Sequence, residues 1–272
     1  MKKWILAILV CALIFGGGFA LGYYYANSNE PVRSVVESNS VTEVYEEFPV
    51  SNLQTIRLNL QNENVRVRLS DNQYVRIVYQ PSVDGLTFHY YYDHETLVLT
   101  VGAVDPAAGI VPDNREMIYL YLPKNSSKDL RITTTEGFVD IDSVSIGELT
   151  VQTSSGVVSI TDSNLGKKTS ITTDNGSVFF HSNKFREIAF FTKSGNINAS
   201  HDADTATSEL ILRGPNLLIN DRETGELHIS QEGQTKKFYA EAENGVIRLR
   251  IPYEFPEPEE PSEQTGTQEP QA

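Results

Sequence analysis

The sequence predicts an all-β fold: a β-solenoid (parallel β-helix-like) of about 19–20-residue coils, preceded by an irregular N-terminal β region and one N-terminal transmembrane helix. Three observations predict it. Glycines recur at near-constant spacing in the second half of the chain, apolar and polar residues alternate on both sides of each glycine, and an uncharged run follows the first three residues. The elements divide as 1–26 (anchor), 27–47 (juxtamembrane spacer), 48–252 (β domain, with irregular strands over 48–123 and glycine-centred coils over 124–252) and 253–272 (tail).

The anchor comes first. Lys2 and Lys3 precede an uncharged stretch from Trp4 to about Ala26. At ~1.5 Å per helical residue this stretch can cross a hydrocarbon core of ~30 Å. The two lysines set the N-terminus in the cytoplasm, while Trp4 and the cluster Tyr23, Tyr24, Tyr25 suit the two membrane interfaces. A cleaved signal peptide is the competing reading, since Gly18 and Ala20 stand before Leu21, but the run exceeds the ~7–15 residues of a usual signal core. Either reading exports the rest of the chain. Cys11, the only cysteine, lies inside the run, so the exported part has no disulfide or cysteine zinc site and must stand on packing and backbone pairing.

Residues 27–47 are polar and charged and read as a spacer. The tail opens with Pro256, Glu257, Pro258, Glu259, Glu260 and Pro261, lacks apolar residues to bury, and reads as disordered. Lys and Arg number 22 against 36 Asp and Glu, a formal charge of −14. That balance argues against nucleic acid, whose phosphates are held by clustered cations.

Within 48–123, Ile56, Leu58, Leu60, then Val65, Val67, Leu69, then Val75, Ile77, Tyr79 alternate with polar residues. Such period-two runs are strands with one inward face. Leu86, Phe88, Tyr90, then Leu97, Leu99, Val101, and Ile118, Leu120, Leu122 add further strands, expected to cap the coils or share their sheets.

The coils follow. Gly137, Gly156, Gly176 and Gly195 are spaced 19, 20 and 19 residues apart. Seven residues before them stand Leu130, Leu149, Thr169 and Ile188, and five before stand Ile132, Val151, Ile171 and Phe190. All four copies have threonine three before: Thr134, Thr153, Thr173 and Thr192. Two after come Val139, Val158, Val178 and Ile197; four after come Ile141, Ile160, Phe180 and Ala199. Nine after, Ile146, Leu165 and Phe185 add another apolar position. Apolar parity changes across each glycine, so the chain bends there, and glycine suits a bend because it accepts positive φ. Stacked at ~4.8 Å, equivalent residues form ladders. The pattern continues with degenerate copies at Leu210, Leu212, Gly214, Leu218 and at Leu218, Gly225, Leu227, Ile229. Phe238, Ala240, Gly245, Ile247 and Leu249 then restore it.

With Tyr121, Leu122, Pro123 ahead of coils of the form Leu-x-Ile-x-Thr-x-x-Gly-x-Val-x-Ile, roughly residues 48–252 resemble the bacterial putative-adhesin β-solenoid family, a domain of unknown function in envelope proteins. The resemblance implies an all-β solenoid in an extracytoplasmic location and offers no catalytic residues to transfer.

No catalytic, cofactor or metal site emerges from the residues. Three after each glycine stand Asp140, Ser159, Phe179 and Asn198, and five after stand Asp142, Thr161, His181 and Ser200, so neither column repeats a carboxylate pair. His201, Asp202 and Asp204 have metal-ligating chemistry but read as an exposed loop. His89, Tyr90, Tyr91, Tyr92, Asp93, His94 and Glu95 form an aromatic, titratable cluster that can present a strip to a glycan or a partner. The expectation is a non-enzymatic binder or scaffold, held in the membrane by its N-terminal helix, with an envelope protein or wall polymer as partner. The alternatives are a carbohydrate-active enzyme on the same fold and an accessory protein of envelope-stress signalling.

Overall fold

The computed structural model describes residues 32–38, 41–79, 88–93, 98–103, 117–124, 126–200, 208–230 and 233–252. Over these the chain is almost entirely strand, with one 3-10 turn at Val50–Asn52. The anchor expected over 1–26 and the tail over 253–272 lie outside the described residues, as do His201, Asp202 and Asp204.

The strands, in chain order, are β1 (Val32–Ser38), β2 (Val41–Pro49), β3 (Thr55–Asn59), β4 (Asn64–Ser70), β5 (Tyr74–Tyr79), β6 (Phe88–Asp93), β7 (Val98–Ala103), β8 (Met117–Pro123), β9 (Lys128–Thr134), β10 (Val139–Asp142) and β11 (Ser145–Thr153). They continue as β12 (Val158–Thr161), β13 (Asn164–Thr173), β14 (Val178–His181), β15 (Lys184–Thr192), β16 (Ile197–Ser200), β17 (Ser208–Arg213), β18 (Asn216–Ile219), β19 (Arg222–Thr224), β20 (Leu227–Ile229), β21 (Lys236–Ala242) and β22 (Val246–Arg250). Among the described residues they form two sheets, one of 12 strands and one of 10.

Each coil gives one strand to each sheet, and equivalent strands of successive coils pair in parallel. Val139 pairs with Val158, Val158 with Val178 and Val178 with Ile197. The odd spacing of 20 has a local cause: Leu165 and Thr169 align with Ile146 and Leu149, so β13 carries one extra residue as a bulge near Gly166, Lys167 and Lys168. The inward ladders are buried and form one apolar cluster. Where Phe180, Phe190 and Phe238 enter it, Ala199 and Ala240 take neighbouring ladder positions. Phe190 meets Phe180 and Phe238 edge to face at 5.3 and 5.5 Å between centroids.

The irregular N-terminal region contains two more layers of the same stack. β3 and β4 pair in parallel with β9 and β10, placing Ile56 beside Leu130 and Val65 beside Val139. β7 and β8 pair in parallel with β3 and β4 outside them. At the other end, β21 and β22 lie directly on β15 and β16, while β17 and β18, earlier in the chain, form the outermost layer. The order is therefore exchanged at both ends. Antiparallel strands close the stack: β5, β2 and β1 beyond β8, β6 beyond β7, β19 beyond β18 and β20 beyond β17.

Several expectations need correction. Within the segment expected as a spacer, 32–38 and 41–47 are strand: β1 and β2 pair antiparallel and β2 pairs with β5, and the density of Val32, Val35, Val36, Val41 and Val44 suits strands despite the surrounding charge. Leu69 is 43% exposed and Ser70 is buried instead, because the strand ends there in a turn in which Ser70 Oγ donates to Asn72 Oδ1 at 2.8 Å. In the copy at Gly214 the inward residues are Leu217 and Ile219, with Leu218 turned outward. The copy at Gly225 is not a coil: β19 and β20 are closing strands, and Leu227 and Ile229 are only half-buried.

The coil glycines are also used differently. None of Gly137, Gly156, Gly176, Gly195 and Gly245 adopts a positive φ. A methyl group added at any of the last four would overlap the carbonyl oxygen of the glycine in the adjoining layer, and at Gly137 that of Glu63. Close stacking, not left-handed backbone, demands glycine here. The threonine three residues before the glycine completes the bend. Gly156, Gly176 and Gly195 donate their N–H groups to the Oγ1 of Thr153, Thr173 and Thr192 at 2.9, 2.8 and 2.9 Å. Left-handed backbone occurs at a second bend six residues after the glycine, at Ser143, Asp162 and Ser182 with φ of 59, 47 and 54°. Just beyond it, buried Asn183 accepts from Ser163 N–H and donates to the Ile160 carbonyl, both at 2.8 Å.

Candidate binding face

Because side chains alternate along a strand, each sheet turns half of its residues outward in a grid fixed by the register. On the 10-stranded sheet, four residues before the coil glycine, the outward column reads Thr133, Gln152 and Thr172 and then Phe191. Phe191 is 38% exposed on an otherwise polar column. Its neighbours come from β21 and β17, brought beside β15 by the exchanged order of the last layers. Across β15, β21 and β17 the register aligns Glu187 with Lys237 and Glu209, Ala189 with Tyr239 and Ile211, and Phe191 with Glu241 and Arg213.

The rings of Phe191 and Tyr239 lie 5.2 Å apart at 41°. Ala189 is the small member of the middle row, and a groove opens over it between Phe191, Tyr239 and Ile211, enclosing about 280 Å³. On the other side of Phe191 a second hollow of about 120 Å³ is lined by Thr172, Asp174, Lys193, Glu241 and Glu243 among others. One exposed ring thus separates two hollows, the smaller one bordered mainly by threonine, carboxylate and lysine side chains. Three of the surrounding carboxylates, Glu187, Glu209 and Asp174, are ion-paired. Lys168 meets Glu187 at 3.4 Å, Lys237 and His228 meet Glu209 at 3.7 and 3.3 Å, and Lys193 meets Asp174 at 2.6 Å. Tyr239 donates its hydroxyl to Glu241, while the Arg213 guanidinium sits 5.7 Å from the centre of its ring. Burial, reinforced by Glu241, pushes the Tyr239 phenol above its ordinary range. The hydrogen bond and charge of Asp174 likewise raise Lys193.

The columns singled out in the sequence lie on the 12-stranded sheet. Asp140, Ser159, Phe179 and Asn198 align in one outward row, with Phe179 37% exposed. Asp140 is engaged by Arg68 and lies 3.8 Å from Arg66, so it serves as an ion-pair partner at the junction with β4. His181 Nδ1 and Ser200 Oγ are 2.9 Å apart. Near the N-terminal end of this sheet Tyr119 and Tyr121 stack at 6.2 Å, and Arg76 sits 6.0 Å from the Tyr121 ring. The cluster from His89 to Glu95 falls partly on β6, the edge strand of the 10-stranded sheet, where the backbone pairs with β7; His94 and Glu95 lie outside the described residues. Among the described residues no group of three or more His, Cys, Asp or Glu is arranged to hold a metal ion. Inward alternation in the sequence marks only Phe190 of the pair Phe190–Phe191; the sequence signal for the Phe191 groove is the break from threonine and glutamine to phenylalanine in its column.

Fold and face together define an all-β protein of mostly parallel sheets, with exposed aromatic residues on both of its broad sides. It belongs to the Toastrack DUF4097 family, which it matches over residues 53–257. This agrees with the family resemblance carried by the coils. Similar solved structures include a "putative cell adhesion protein" from Clostridium sporogenes, 12% identical over 82% of this chain and 100% of its own, with a TM-score of 0.47. A "putative adhesin" from Bacteroides fragilis is 14% identical over 76% of this chain and 96% of its own, with a TM-score of 0.45. No curated protein matches the sequence.

Proposed function

We propose that this chain is a membrane-anchored, extracytoplasmic β-solenoid that binds or scaffolds at the cell envelope without catalysing a reaction, in the manner of an adhesin. The observation that carries the proposal is the outward grid of β15, β21 and β17. It presents Phe191 and Tyr239 in a groove on a surface built from stacked, mutually buttressed strands. A rigid face of this kind recognises a partner at little ordering cost. Lys2 and Lys3 ahead of the uncharged run support export and single-pass anchoring, with the C-terminal domain outside. The partner is then an envelope protein or a wall polymer, and the net charge of −14 leaves nucleic acid aside.

Crosslinking of the full-length chain in intact cells with a membrane-impermeant reagent, followed by purification, tests this. Recovery of a defined envelope protein or of wall fragments is the expected outcome. Protection of the β domain from the reagent, with labelling only after lysis, would overturn the extracytoplasmic placement. Turnover of a wall polymer by the purified chain would overturn the non-enzymatic reading.

A further inference from the structure

We infer that the groove over Ala189 is a subsite for a neutral saccharide, with Phe191 and Tyr239 as its stacking platform. This rests on the binding role proposed above and names the ligand class.

The chemistry of the lining selects the occupant. Phe191 is exposed at a position where the preceding three copies carry Thr133, Gln152 and Thr172, so the fold itself does not require a ring there. The volume of about 280 Å³ on one side of that ring is mainly apolar, whereas the smaller hollow on the other side offers hydroxyl and carboxylate groups. A ligand spanning both must have an apolar face and a hydrogen-bonding rim. A pyranose ring has this character, with axial C–H groups on its faces and hydroxyls at its edge. The charges point the same way. Glu187, Glu209 and Asp174 each have a cation within 4 Å, and Glu241 accepts from Tyr239. With these carboxylates already matched inside the chain, the lining offers an uncharged polyol their remaining lone pairs and N–H groups. Aromatic stacking of this kind tolerates different sugars and gives modest affinity, which repetition along a polymer multiplies.

The test is isothermal titration of the purified full-length chain with two neutral probes, chitotetraose and cellotetraose. At least one should bind. The double variant Phe191→Ala/Tyr239→Ala should weaken that binding at least tenfold while its melting curve stays close to that of the parent. Ala189→Trp, which fills the hollow from an outward position, should weaken it equally without removing either ring. Binding that is unchanged in both variants, or no binding of either probe, would overturn the inference. So would a shift from oligomer to monomer in the double variant by sedimentation, which would make a second copy of the chain the occupant. The crosslinking experiment separates this from failure of the broader reading: a partner still recovered by the double variant leaves a binding protein whose contact lies elsewhere.

Discussion

At the scale of single residues, the coil is held by contacts that tolerate little change at a few positions and much at others. Gly176 is one of the former, since an added methyl group would overlap the Gly156 carbonyl and crowd Thr173 Oγ1. Gly176→Ala is expected to lower stability by at least ~3 kcal/mol in urea unfolding, at the upper end of overpacking costs. Gly225→Ala is the control. A methyl group there meets nothing within 4 Å, so its midpoint should stay near that of the parent. Thr169 runs the other way. Its position in the ladder is otherwise held by Leu130, Leu149 and Ile188, it is fully buried, and its Oγ1 has no hydrogen-bond partner. Thr169→Val keeps the shape and removes the unpaired hydroxyl, so it should stabilise the domain by about 1 kcal/mol. An unchanged or lower midpoint would indicate a partner for that hydroxyl.

At the scale of elements, register decides which insertions and deletions matter. Lys167 lies in the β13 bulge, and its removal would make this coil match its neighbours, with three residues between Leu165 and Thr169 reduced to the two found between Ile146 and Leu149. The cost is an exposed ion pair with Asp129 at 3.4 Å, and such pairs contribute at most ~1 kcal/mol. Deleting Lys167 is therefore expected to leave the circular dichroism spectrum unchanged and to shift the urea midpoint only slightly. Deleting Gln152 should abolish folding, because it reverses the inward and outward faces of the strand on one side of the cut. The same contrast explains what was legible in the sequence. The ladders at Leu130, Ile132, Val139 and Ile141 and their copies could be read because burial imposes strict alternation around a glycine that close stacking fixes. The layer of β3 and β4 was harder to read, since Glu63 stands where its neighbour has Gly137 and its spacing to the next coil is broken by β5 to β8. Phe191 stands out in its column, but the groove beside it depends on which strand lies next to β15, a property of the assembled sheet that no local pattern records.

At the scale of the whole molecule, the exchanged layer order makes the ends depend on returning chain. β17 and β18 are synthesised directly after β16, yet β21 and β22 come back to take the place between them. The bends explain the preference. From Ala240 to Ile247 the chain has the same length as from Phe190 to Ile197, which lets Glu243 and Asn244 donate to the Thr192 and Lys193 carbonyls at 3.0 and 2.7 Å. From Leu212 to Leu217 it is two residues shorter and cannot follow the same path. The layer of β21 and β22 also supplies Phe238 to the aromatic cluster. A chain ending at residue 230 should therefore lose two layers rather than one. In hydrogen exchange, amides of β17 and β18 are expected to lose protection along with the paired edge of β15 and β16. Strands β9 to β13 should remain protected behind one another. If β17 instead kept its protection in the truncated chain, it would have paired directly with β15, and the bend would not be what excludes it from that position.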